Sequence, residues 1–72
     1  MFVKLTAITL QSRYLKIEDI RAICPVVSCG VVHSEITMVS DGHMLIFEVT
    51  ETPDVVSAAI KKIEYQYNES HR

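Results

Sequence analysis

The sequence predicts an α+β fold: a small antiparallel β-sheet of four to five strands, with one C-terminal amphipathic helix packed on one face. Three observations predict it. Val31 to Thr50 reads VVHSEITMVS-DG-HMLIFEVT, two β-rich runs flanking an Asp-Gly dipeptide, the strongest short-range hairpin signal. Thr52-Pro53-Asp54 is a helix start, because Thr caps well, Pro suits the first helical position and Asp complements the positive end of the helix dipole. Val56, Ala59, Ile60, Ile63 and Tyr67 then recur at spacings of three and four, the signature of one apolar helix stripe.

The chain has 72 residues, enough for one domain near the lower limit of independent folding, where a second subunit often helps. Apolar residues make up 49% and charged residues 22%, a globular balance rather than a disordered one. Seven basic against nine acidic residues give a net charge of -2, which argues against a partner that needs a broad positive field. No apolar run is long enough to span a bilayer and no leader pattern is present, so the expectation is a soluble, cytosolic protein with reduced cysteines.

The elements follow in order. Residues 2–10, FVKLTAITL, alternate as a strand with Val3, Leu5 and Ala7 on one face. Gln11 and Ser12 suit a turn, and 13–17, RYLKI, returns antiparallel with Leu15 and Ile17 on one side. Glu18-Asp19 breaks the pattern with a tight turn or a single helical turn. Residues 21–27 form a third strand, and Pro25, which lacks an amide hydrogen, places it at an edge, a bulge or a strand end. Ser28-Cys29-Gly30 turns into the central hairpin of 31–40 and 43–50. A helix follows over about 53–67, then a polar tail over 68–72.

With Asp41-Gly42 at the turn, Ser40 faces His43, Met38 faces Leu45, Ile36 faces Phe47 and Ser34 faces Val49. The core face carries Val32, Ile36, Met38, Leu45, Phe47 and Val49, interrupted by Ser34. The other face carries His33, Glu35, Thr37, Val39, Met44, Ile46, Glu48 and Thr50. One helix covers one face, so the second face is expected to be open. Val39, Met44 and Ile46 make an apolar patch there, with Phe2, Ile8 and Leu10 as its extension, and a patch of this kind marks association. Glu35 and Glu48 fall opposite each other on the same face, an unfavourable pair. Three accounts stand: a register shifted by a bulge, a basic residue such as Lys4 or Lys16 between them, or a cation or basic partner.

Chemistry-bearing residues are scattered. Cys29 follows Cys24 by five positions and His33 follows Cys29 by four, but His43, the natural fourth zinc ligand, is carried away by the hairpin: His33 lies seven residues before Ser40, about 23 Å along a strand. Cys24 reads as a small buried hydrophobe and Cys29 as a loop residue. His33 and Ser34 point to opposite faces and cannot form a nucleophile-base pair. No catalytic residue, cofactor site or metal site is expected. The leading expectation is a non-enzymatic protein-interaction or regulatory module, homodimeric, with Val39, Met44, Ile46, Glu35 and Glu48 at the protein interface. The alternative is a small nucleic-acid-binding regulator using Lys4, Arg13, Lys16 and Arg21.

The order of elements resembles the small flagellar-operon family typified by FlbD, the swarming motility proteins. The shared words are Lys4-Leu5-Thr6 in the first strand, Leu15 to Ile20 with acidic Glu18 and Asp19, Ile36-Thr37-Met38 through Asp41-Gly42, and the acidic helix start from Glu51 to Ile63. The chain departs from that pattern between Cys24 and Val32, where it is longer and carries both cysteines. The resemblance implies a similar sheet-and-helix fold and a small accessory or regulatory protein of the kind encoded in operons and phages. It supplies no catalytic residues and no flagellar function.

Overall fold

A computed structural model describes residues 1–70; the last two residues of the expected polar tail lie outside the described residues. The strands are β1 (Phe2–Thr6), β2 (Ser12–Lys16), β3 (Ile20–Ser28), β4 (Val31–Ser40) and β5 (His43–Val49), followed by the helix α1 (Pro53–Ser70). A single 3-10 turn over Ile17–Asp19 joins β2 to β3, the second of the two forms expected at Glu18-Asp19, a tight turn or a helical one. The fold is α+β with every strand pair antiparallel.

The strands form two sheets rather than one: a hairpin of β1 and β2, and a three-stranded sheet ordered β3-β4-β5. They join where the end of β1 reaches the end of β5. Ala7 bridges Val49, the Ile8 amide donates to the Glu48 carbonyl at 3.2 Å, and the Thr50 amide donates to the Thr6 carbonyl at 2.8 Å.

Both hairpins of the larger sheet turn on two residues with positive φ, Cys29 (51°) and Gly30 (76°), then Asp41 (52°) and Gly42 (78°). This twist suits right-handed strands. The β4–β5 register is the one expected, Ser40 to His43 through Ser34 to Val49.

The first hairpin differs from expectation. β1 ends at Thr6 instead of residue 10, and the loop is Ile8-Thr9-Leu10 rather than Gln11-Ser12. The Ala7 amide donates to the Gln11 carbonyl and the Leu10 amide to the Ala7 carbonyl, each at 2.8 Å, while Leu10 has φ 69°. That is a three-residue hairpin loop with its last residue left-handed, a place usually taken by Gly. Neither Ile8 nor Leu10 announces a turn by composition, so the strand reads as longer than it is.

The core consists of Val3, Leu5 and Leu15 from the small hairpin, Ile36, Met38 and Val49 from the sheet, and Val56 from α1. Ile23, Phe47, Ala59, Ile60 and Ile63 pack around it, half-buried. The helix lies over β1, β3 and β4. Its position corrects the expected core face: Leu45 on β5 is 44% exposed and Val32, near the far hairpin end, is 41% exposed. The helix also runs on to Ser70, three residues past the expected end, and Tyr67 at the end of the stripe is exposed. At its start the Thr52 side-chain oxygen accepts from the Val55 amide at 3.4 Å, as expected of the cap.

Ser34, the polar interruption of the core face, is fully buried and donates to the Glu51 carbonyl at 2.7 Å. The Glu51 carboxylate accepts the Thr6 amide through both oxygens at 3.0 Å. Glu51 therefore ties the central strand and the small hairpin to the segment that starts the helix.

Candidate association surface

The two edges of the three-stranded sheet are built differently. In a two-residue hairpin the pair closing the turn exchanges both backbone hydrogen bonds, and bonding alternates from there. On β3 the closing residue is Ser28, so Ile23, Pro25 and Val27 present their backbone groups outward. Pro25 has no amide hydrogen to present, and a bulge interrupts the ladder between Ile20 and Ala22. A proline and a bulge both obstruct the pairing of a further strand. Of the three positions expected for Pro25, an edge, a bulge or a strand end, the structure shows the edge.

On β5 the closing residue is His43, so Met44, Ile46 and Glu48 turn their N–H and C=O groups outward. Glu48 is already engaged by Ile8. Among the described residues, no backbone hydrogen bond from outside the sheet reaches Met44 or Ile46. From His43 to Phe47 there is no carboxylate, lysine or arginine, no proline and no bulge. Met44 is 67% exposed and Ile46 57% on the open face, with Leu45 exposed on the other side.

The structure brings the expected interface residues into one block. Val39 stands opposite Met44, Thr37 opposite Ile46 and Glu35 opposite Glu48. Val39 and Glu35 are half-buried on the central strand, and Glu48 is exposed. Of the proposed extension, only the Ile8 backbone reaches this block, at Glu48; Phe2 lies on the small hairpin opposite Lys16.

The Glu35–Glu48 pair is real, and β4 and β5 pair without a shift. The basic side chain beside it is neither Lys4 nor Lys16, which sit on the other sheet. It is His33, whose Nε2 lies 3.5 Å from Glu48 Oε1. His33 is only 8% exposed although it sits on the open face, flanked by Val26 on β3. Sequence spacing does not reveal this diagonal, since it depends on which strand lies on each side of β4.

Cys24 is exposed rather than buried, opposite Glu35, and both cysteines are free thiols. Among the described residues, no three His, Cys, Asp or Glu side chains gather as a metal-binding group, and no pocket opens. No helix among the described residues is long and apolar enough to cross a membrane.

The four basic residues of the nucleic-acid alternative do not form one cluster. Lys4 and Lys16 share the outer face of the β1–β2 hairpin. Arg13 stands opposite Leu5 on the inner one, and Arg21 on β3 donates to the Glu18 carbonyl at 2.8 Å. Comparison with known proteins gives no match to a family model, to a curated protein or to a solved structure.

Proposed function

We propose that this chain is a small, non-enzymatic interaction module of the cytoplasm that self-associates through β5 and acts as an accessory or regulatory protein by binding a further protein. One observation carries the reading: the β3 edge is obstructed by Pro25 and a bulge, while the β5 edge is apolar from Met44 to Phe47, and Met44 and Ile46 receive no backbone hydrogen bond from outside the sheet among the described residues. Native sheets guard the edges they keep to themselves.

The occupant is a second copy, and its register follows from geometry. The turn at Asp41-Gly42 bounds the available edge on one side and Ile8 bounds it at Glu48 on the other. A two-fold antiparallel pairing of five residues then centres on Leu45. Met44 and Ile46 of opposite copies exchange backbone hydrogen bonds, and the two Leu45 side chains meet. This doubles the three-stranded sheet and covers Leu45, Met44 and Ile46 together. Val39, Glu35 and Glu48 stay outside the seam on the open face, as the site for the further protein.

The test is oxidation of Leu45→Cys in a Cys24→Ser/Cys29→Ser background. Residues paired with themselves across the axis have Cα atoms about 4.5 Å apart, within disulfide reach. His43→Cys is the control, because its two copies would stand about 13 Å apart in this register. Rapid crosslinking of position 45 and not 43 supports the reading; crosslinking of neither, or of both equally, rejects it.

A further inference from the structure

The outer face of the β1–β2 hairpin has an organisation that composition alone conceals. Three cross-strand pairs occupy it: Phe2 with Lys16, Lys4 with Tyr14, and Thr6 with Ser12. Aromatic and lysine residues therefore alternate along each strand and across the pair. Phe2 is 59% exposed and Tyr14 67%, and both lysines are exposed. The inner face holds Val3, Leu5 and Leu15 in the core, so the outer aromatics are not needed for packing.

The charge of this face is opposite to that of the whole chain. The sequence carries nine acidic residues, and none projects from this face. Of the carboxylates beside it, Glu18 is engaged by the Met1 ammonium at 2.9 Å and Glu51 accepts the Thr6 amide at 3.0 Å.

We infer that this face is a stacking platform for single-stranded nucleic acid, with Phe2 and Tyr14 beneath two successive bases and Lys4 and Lys16 on the adjoining phosphates. Phe2 and Tyr14 are diagonal neighbours, about 7–8 Å apart at the backbone. An extended single strand can match that separation, while the bases of a duplex are stacked more closely and turned inward. Sheet aromatics within a positive field are the general means of holding unpaired bases without sequence preference. Thr6 and Ser12 supply hydroxyl donors at the end of the same track. Arg13 and Arg21 take no part. This site is separate from the β5 edge and does not rest on self-association.

The experiment is fluorescence anisotropy of a labelled oligodeoxythymidine about eight nucleotides long, enough to span one small sheet, with a duplex of equal length for comparison. The expected result is single-strand binding whose log affinity falls against log salt with a slope of about -1.4, from two phosphates at about 0.7 each. Tyr14→Ala is expected to weaken binding about fivefold or more, while Tyr14→Phe, which keeps the ring, retains it. Lys4→Gln is expected to reduce the slope by about 0.7. All three changes lie on an exposed face, and a dispersed amide spectrum verifies the fold of each variant. No binding at low salt overturns the inference. So does equal affinity for the duplex, or binding that Tyr14→Ala leaves unchanged. If Tyr14→Ala alters the mass of the protein in solution instead, the face belongs to a protein contact, and the inference is again overturned.

Discussion

The Ser34 hydroxyl donates a 2.7 Å hydrogen bond to the Glu51 carbonyl and joins the centre of the sheet to the approach of the helix. Glu51 also receives the Thr6 amide on its carboxylate. One residue in the β5–α1 connection thus fixes the small hairpin and the large sheet in a common frame. The outward edge of β5 depends on that frame, because β1 shields only the Glu48–Thr50 end.

Ser34→Ala removes the donor from a fully buried position and leaves the Glu51 carbonyl without its partner. The expected cost is about 0.5–1.5 kcal/mol, the net contribution of a typical hydrogen bond, because the acceptor is part-buried. Urea denaturation monitored by circular dichroism measures it. An unchanged midpoint would show that the bond contributes nothing to holding the two sheets together.

Leu10 sits at φ 69° with its side chain 79% exposed. A left-handed conformation costs a non-glycine residue about 1–2 kcal/mol, and glycine returns part of that gain through its greater unfolded-state freedom. Leu10→Gly is therefore expected to stabilise the protein by up to about 1 kcal/mol, read as a raised thermal midpoint. A lowered midpoint would mean that the exposed leucine is held by packing.

Glu18 is held below the usual glutamate range, first by the hydrogen bond from the Met1 ammonium, then by a backbone hydrogen bond, with Coulombic attraction from the ammonium and Lys16 adding to it; desolvation acts in the opposite direction. A depressed folded-state value means that its contribution is present above the unfolded pKa and is lost as pH falls through the folded one. The pair is solvent-exposed, so the contribution is small. Carboxyl-carbon NMR should place Glu18 below a model-peptide glutamate, and Nα-acetylation should raise it. Titration at the ordinary position in both forms would remove the contact.

Much of this architecture was legible because local chemistry and tertiary pairing agree. Asp41-Gly42 supplies the backbone freedom that a two-residue turn requires, Gly30 does the same beside a Cys29 held at φ 51°, and every β4–β5 pair follows from the Asp41-Gly42 turn. Pro25 narrows β3 to an edge, a bulge or a strand end through its missing donor, and the sheet order makes it an edge. The rest depended on where elements lie relative to one another. Leu45 has the right parity for the core, but α1 lies over β1, β3 and β4. His33 has the wrong parity, yet it is buried on the central strand. The turn at Leu10 has no compositional signal. The checkerboard of Phe2, Lys4, Tyr14 and Lys16 appears only once the register of the shortened first hairpin is known.

The central claim, that β5 is an edge built to meet its own copy, is tested most directly by mass in solution. Sedimentation equilibrium of the intact chain at concentrations on the order of 100 μM, where even weak pairing populates, is expected to give twice the 8.2 kDa of one chain. Met44→Glu, which sets like charges across the seam, should return the single-chain mass with the fold retained. A wild-type protein that stays at 8.2 kDa throughout, or a dimer indifferent to Met44→Glu, would contradict it.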